Sequence, residues 1–304
     1  MNRAPSEPLP FASVIVPVRD GESTIADCLD AVLATDYPAD RREILVIDNG
    51  SSDRTAALIQ TRPVRYLREE RRGVSNARNR GIAESRGEIL AFVDADCMVE
   101  PQWLTELVRP FDDPEVGSVA GDLQHAPPTT PAERQAARML GNWQRFAFTS
   151  NPAYPITANA AYRRDVLERI GPFDSHMSRA QDVELGLRFQ ERSGLRLAYA
   201  ERATARHRNR ATQLGFFRQQ LGWSYGAGLV AAKFEAMGGD PVTPPRIRDI
   251  TLTLRGLGIV LAARARGRGR TEWIEDAWFD FLRQLAWLIG ARIGFRRGAR
   301  IWPS

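Results

Sequence analysis

Two carboxylates one residue apart end an apolar run: Asp94-Ala95-Asp96 follows Glu88-Ile89-Leu90-Ala91-Phe92-Val93. On a loop leaving a sheet edge, such a pair can aim its oxygens at one divalent cation and at substrate phosphates. Mg2+ needs few protein carboxylates when phosphates supply the remaining oxygens. The same triplet ahead of Pro101 also suits a solvated turn or a helix N-cap, so spacing alone leaves both readings open. A further carboxylate, Asp182 in Gln181-Asp182-Val183-Glu184-Leu185, opens an apparent helix with Val183, Leu185, Leu187 and Phe189 on its apolar faces. It is placed either for proton transfer or simply to favour the helix N-terminus. His207 lies among Arg206, Arg208 and Arg210, a setting that fits a metal ligand or a surface imidazole. Arg71, Arg72, Arg78 and Arg80 crowd another polar stretch, where a guanidinium either makes a charge-assisted contact to a bound ligand or faces solvent.

These groups need a frame. Residues 12–18 (ASVIVPV) read as a first strand and 22–34 as a helix with Ile25, Cys28, Leu29, Val32 and Leu33 on one face. A second strand at 43–48, a turn at Asn49-Gly50-Ser51 and a helix near 53–60 follow. A short strand near 64–68 leads to Gly73 and a polar helix reaching about 85, and 88–94 forms a fourth strand. Strands alternating with amphipathic helices predict a mostly parallel sheet covered by helices. The polar ends of the strands at 18, 48 and 94 then fall at the carboxyl edge, where ligands bind in open α/β sheets.

Taken in order, several motifs carry a family resemblance. They are Pro17-Val18-Arg19-Asp20-Gly21-Glu22, Val46-Ile47-Asp48-Asn49-Gly50-Ser51-Ser52-Asp53, the segment Gly73 to Gly81 (GVSNARNRG), and Gly87-Glu88 with Phe92-Val93-Asp94-Ala95-Asp96. Downstream come Thr157-Ala158-Asn159-Ala160-Ala161-Tyr162-Arg163-Arg164, Gly171-Pro172-Phe173-Asp174, Gln181 to Leu185, and His207. Over roughly residues 12–235 the chain resembles the inverting glycosyltransferases of family 2. That resemblance implies a GT-A fold, an α/β architecture with a Rossmann-like, mostly parallel sheet flanked by helices. It implies Asp48 as acceptor for the nucleotide base with Pro17 and Arg19 beside it, and Arg78 reaching the nucleotide; by its residues alone Asp48 also suits a helix-capping aspartate ahead of Asn49-Gly50. Asp94 is implied at the ribose or at a metal-bound water, Asp96 as direct metal ligand and His207 as a third ligand. The implied cofactor is Mn2+ or Mg2+, neutralising the departing nucleoside diphosphate; no other is implied. Asp182 is implied as the general base for an acceptor hydroxyl attacking in line with inversion, and Glu184 is the fallback. Family members often carry Glu-Asp where this chain has Gln181-Asp182. Asn159, among small residues, is expected either to meet sugar hydroxyls or to form a turn. Phe173 and Asp174 read as loop packing and capping.

With 304 residues, 43% hydrophobic and 26% charged, the chain is globular in composition and not disordered or collagenous. Cys28 and Cys97 form no disulfide framework or zinc cluster, and the first residues carry no long apolar stretch typical of a secretory signal. A cytoplasmic setting is expected. The formal charge of +5 is unevenly distributed. Residues 241–304 hold 12 Arg against Asp249, Glu272, Glu275, Asp276 and Asp280, a net of +7, which leaves the rest at −2. A catalytic domain over 1–237 is expected, with a nucleotide-binding half at about 12–122 and an acceptor half at about 123–237. A basic, Trp-rich helical extension is expected over 238–304, after a Gly/Pro-rich boundary at 238–245.

Within that extension Trp278, Phe281, Leu282, Leu285, Leu288 and Ile289 recur at helical spacing beside Arg283, Arg292, Arg296, Arg297 and Arg300. The extension, from about residue 246, either lies on an anionic membrane or packs as a helical lid or dimer element. The segment 256–263 is too short to cross a bilayer, and Gly222 stands where processive synthases have arginine in Q-x-x-R-W. The expected activity is therefore transfer of a single sugar, at the inner face of the plasma membrane. The donor would be a UDP-, GDP- or dTDP-sugar, and the acceptor a glycan, lipid-linked glycan or polysaccharide precursor. Nucleic acid is not expected as a partner, and a homo-oligomer stays open. Two other readings remain: a sugar nucleotidyltransferase on a similar scaffold, which lacks the expected Gly-rich phosphate loop here, and a non-catalytic membrane- or nucleic-acid-binding scaffold.

Overall fold

The computed structural model of the protein describes residues 9–238, 258, 262 and 272–302. Ala12–Val18 (β1) is buried at every position. It lies between Arg42–Asp48 (β2) and Ile89–Val93 (β4), with Arg65–Arg68 (β3) outside β2, and all these pairings are parallel. Helices cover both faces, so these strands read as continuous apolar runs and not as alternation. On one face Val14, Val16, Val46, Ala91 and Val93 pack with Ile25–Leu33 (α1) and Trp103–Val108 (α4). On the other, Ile15, Leu45, Ile47, Leu90 and Phe92 pack with Ala77 of Val74–Glu84 (α3) and with residues of the later helices Arg164–Ile170 (α7) and Gln181–Arg192 (α8). The remaining early helix, Thr55–Gln60 (α2), follows the loop after β2.

Beyond β4 the sheet becomes mixed. Its order is β3-β2-β1-β4-β7-β6-β8-β5, where Cys97–Val99 is β5, Val116–His125 is β6, Asn159–Arg163 is β7 and Arg196–His207 is β8. β7 runs antiparallel to both β4 and β6, whereas β6 and β8 are parallel. Strand β5 pairs antiparallel with the end of β8, bringing Cys97 opposite His207. Three residues directly after an acidic loop carry no periodic signal, so the sequence gives no hint of this strand.

The chain divides into two compact units, Met1–Ala126 with Gly141–Arg208, and Pro127–Leu140 with Asn209–Ser304. The division falls before Gln213–Ala236 (α9), not at the Gly/Pro-rich segment near 238, because α9 packs along Glu272–Ile301 (α10). The contacts advance together along both helices: Phe216 meets Phe279, Trp278 Nε1 lies 3.4 Å from Gln213 Oε1, and Lys233 lies over the Trp302 ring. The two helices are therefore parallel. Their axes approach closely because Gly228, Gly290, Gly294 and Gly298 line the seam. A Cβ at Gly294 would collide with the Tyr225 carbonyl, and one at Gly228 with that of Ala291. Pro131–Leu140 (α5) contributes Ala132 and Ala136 to the apolar cluster at one end. Ile289 and Trp287 stay exposed. Most of 239–271, including nearly all of the boundary at 238–245 and the run at 256–263, lies outside the described residues.

Candidate active site

The loops after β1 and β2 are fastened to each other. Asp20 N–H donates to Ser51 Oγ at 2.9 Å, Ser52 N–H to Asp20 Oδ1 at 2.8 Å, and Gly21 N–H to Thr55 Oγ1 at 2.8 Å. Pro17 is buried on β1, and Arg19 is exposed, 3.5 Å from Asp20. Asp48, at the end of β2, has no exposed surface. Its Oδ1 accepts Ser51 N–H at 2.8 Å and its Oδ2 accepts Tyr66 O–H at 2.9 Å, with Arg68 3.8 Å away. The carboxylate thus caps the Asn49-Gly50 turn, and a nucleotide base reaches it only by displacing Tyr66 or Arg68. Asn49 ties down the next loop: its Nδ2 donates to the Glu69 and Arg71 carbonyls and its Oδ1 accepts Gly73 N–H. That last bond fixes the start of α3.

The acidic loop and His207 meet through the β5–β8 ladder. Arg208 N–H donates to the Asp96 carbonyl at 2.8 Å, and His207 Nε2 lies 3.5 Å from Asp96 Oδ1. Both side chains are well covered, at 5% and 17% exposure. Trp143, at the start of Trp143–Thr149 (α6), packs edge-on against the His207 ring at 5.3 Å and stacks on His125. One carboxylate and one imidazole this close fit as two ligands of a single Mg2+ or Mn2+. Among the described residues no group of three His, Cys, Asp or Glu side chains gathers. A cation held by Asp96 and His207 alone would keep positions for phosphate oxygens and water.

Arg78 departs from expectation. It is 4% exposed, and its Nη2 donates to Asp94 Oδ1 at 2.9 Å while the guanidinium sits over the Phe173 ring at 5.4 Å. It faces this carboxylate and not open solvent, whereas Asp94 itself keeps 35% exposure. Asp182 lies in the first turn of α8, where its Oδ1 accepts Val183 N–H at 2.9 Å. Burial pushes the Asp182 carboxyl above the ordinary aspartate range; Arg78 and the Val183 amide oppose that rise, and Asp94 adds to it. The nearby Tyr154 phenol is pushed up to about 12 by its own burial and by the Asp182 charge. Glu184, by contrast, is buried and held by Arg188 at 2.7 and 2.8 Å, a structural ion pair. Between Asp182 and Glu184, Asp182 has the surroundings suited to proton transfer.

Asn159 is not at the site. It is fully buried: its Nδ2 donates to the Asp122 and Ala203 carbonyls at 2.7 Å, and its Oδ1 accepts Trp103 Nε1–H at 2.7 Å. Both ends of its amide are engaged as a brace across β6, β8 and α4, and it has no exposed surface to offer a sugar. Gly121 is required beneath it, since a Cβ there would collide with the Asn159 amide. Phe173 and Asp174 do pack and cap: Phe173 is edge-on to Phe92 at 5.5 Å, and Asp174 Oδ1 accepts His176 N–H. Sequence reasoning passes over Ser75, Asn79 and Trp143. The first two stand within GVSNARNRG, whose polarity marks a helix face that meets backbone, whereas Trp143 gives no signal in the sequence.

The family model for glycosyl transferase family 2 matches residues 13–171. The chain is 37% identical over 183 residues to the glycosyltransferase AglE of Haloferax volcanii, covering 58% of this chain and 60% of that protein. It is 28% identical over 251 residues to the probable glycosyltransferase YdaM of Bacillus subtilis, covering 75% and 58%. It thus spans about three fifths of the length of these relatives. Among solved structures, the mannosyltransferase PcManGT of Pyrobaculum calidifontis, in complex with GDP-Man and Mn2+, superposes with a TM-score of 0.64 at 21% identity, covering 94% of this chain and 87% of that one. TarS 1-349 of S. aureus, in complex with UDP-GlcNAc, gives 0.55 at 18% identity, covering 75% and 67%. With the motifs in order along a GT-A sheet and the model match extending over more than half its length, the chain belongs to glycosyltransferase family 2.

Proposed function

We propose that the chain transfers one sugar from a nucleotide-sugar donor to a hydroxyl of a glycan, lipid-linked glycan or polysaccharide precursor, with inversion. The observation that carries this reading is the meeting of Asp96 and His207, 3.5 Å apart, beside the Asp94–Arg78 pair and the raised carboxyl of Asp182. Asp96 and His207 would hold a divalent cation, which supplies charge neutralisation at the departing diphosphate. Asp94, still partly exposed, faces the donor. Asp182 accepts the proton of the attacking hydroxyl, its raised proton affinity favouring that transfer. The base moiety lies over the loops after β1 and β2, near Pro17, Arg19 and Asp48. One neighbour of the same fold is in complex with GDP-Man and Mn2+ and another with UDP-GlcNAc, which supports a nucleotide-sugar donor and a divalent metal.

Calorimetric titration with UDP, GDP, dTDP and CDP, each with and without Mn2+, tests the donor side. A metal-dependent interaction with one nucleotide is expected in the native chain and is expected to be lost in Asp96→Ala. Binding that ignores both metal and substitution would sink the assignment.

The extension supports membrane contact. Trp287, Ile289 and Ile293 are exposed on α10, followed by the exposed Arg296, Arg297 and Arg300. No helix among the described residues is long and apolar enough to cross a membrane, and the contact proposed for α10 is one along the surface. The inner face of the plasma membrane, where nucleotide sugars and acidic lipids meet, is the proposed place of action.

A further inference from the structure

We propose that Arg78 is a positioning residue for the base and not a ligand of the nucleotide: it ties the donor-side carboxylate Asp94 to the segment that leads into Asp182. The inference rests on the reading of Asp182 as base. Ser75, Arg78 and Asn79 stand at i, i+3 and i+4, on one face of α3. All three reach the stretch between α7 and α8. Ser75 Oγ–H donates to the Met177 carbonyl at 3.0 Å. Asn79 grips Phe173 twice, accepting its N–H at 2.9 Å and donating to its carbonyl at 2.8 Å. Arg78 lies over the Phe173 ring and pairs with Asp94. Five residues past Met177 comes Asp182.

Burial argues against a nucleotide role. A guanidinium 4% exposed offers a ligand almost no surface, and its Nη2 is already committed to Asp94 Oδ1 at 2.9 Å. The charge it carries has internal work instead. Asp94 and Asp182 repel each other, and a diphosphate arriving at Asp94 adds more negative charge. One buried cation facing both carboxylates offsets that repulsion and favours the ionised form of Asp182 against the effect of burial. The other groups facing Asp182 are the Val183 amide on its own helix and the Tyr154 and Tyr162 phenols, which are neutral at physiological pH.

The test uses the full chain with Arg78→Met, Arg78→Lys, Asn79→Ala, Asp182→Asn and the Arg78→Met/Asp182→Asn double variant. The nucleoside diphosphate that binds the native chain with Mn2+ serves as binding probe, and release of that diphosphate from the matching nucleotide sugar reads turnover. Arg78→Met is expected to bind the probe within about threefold of the native chain while kcat falls by about 10²-fold, the scale of a misplaced reacting group. Its acid limb should move to higher pH, and the double variant should be no slower than Asp182→Asn. Arg78→Lys should recover part of the loss, and Asn79→Ala should show the same split at smaller size. The two milder variants decide the matter if Arg78→Met does not fold. Loss of probe binding by tenfold or more with kcat kept, or losses that multiply in the double variant, would overturn the proposal. Full turnover in Asp182→Asn would remove the base reading itself, and this proposal with it.

Discussion

A carboxylate that must take a proton gains from surroundings that raise its affinity for one, yet those surroundings weaken the fold. Burial lifts the Asp182 value above that of an unfolded chain. Deprotonation is then harder in the native state, so stability is lost as pH rises through the folded value and is regained below the unfolded one. Asp182→Asn should therefore melt no lower than the native protein at pH 7, with any gain vanishing near pH 3 in a thermal scan. Its kcat should fall by about 10²–10⁴-fold. Asn159→Ala should do the reverse. It strips partners from Trp103 Nε1 and from the Asp122 and Ala203 carbonyls, and an unsatisfied buried group costs about 1–3 kcal/mol. A chemical-denaturation midpoint well below the native one, with nucleotide affinity of the folded fraction kept, would mark Asn159 as a brace. Unchanged stability with lost affinity would return it to the site.

Strands β1, β2 and β4 are legible in the sequence because burial on both faces leaves an unbroken apolar run. Helix α1 is legible from Ile25, Cys28, Leu29 and Val32 on one face. Strand β5 is not legible, because three residues carry no period, and neither is the pairing that brings His207 to Asp96 across 111 positions. Order along the chain signals that both belong to one site but not which ladder joins them. For α10, large apolar residues at helical spacing suggest which face is covered, yet glycines decide it. Ile289 stays exposed while Gly290, Gly294 and Gly298 form the seam. Gly294→Leu should force α9 and α10 apart at a cost of about 1–3 kcal/mol, the range for overpacking. Limited proteolysis should then cut within 209–304 at protease levels that leave the native chain whole. Equal resistance would mean that the seam tolerates bulk.

Charge divides the chain unequally, a near-neutral body against an arginine-rich extension. Such a surplus predicts attraction to acidic lipid of about 1 kcal/mol per arginine near the surface. Replacing Arg296, Arg297 and Arg300 by Gln should weaken co-sedimentation with phosphatidylserine-containing vesicles by about 10²-fold at low salt and leave neutral vesicles unaffected. Loss on both vesicle types would point to a packing role for these residues. Strand β8 has a different consequence, one of order in time. Its last residue completes the pair with Asp96, so the pair proposed to hold the cation cannot exist until residue 207 has been made and its strand has closed on β5. Contacts this distant in sequence form slowly, because the loop between them must first surrender its freedom. If the pair holds the proposed cation, metal affinity would be a maturity mark for the catalytic unit: a nascent or truncated chain with every other motif in place is expected to lack the Mn2+ response of the full chain.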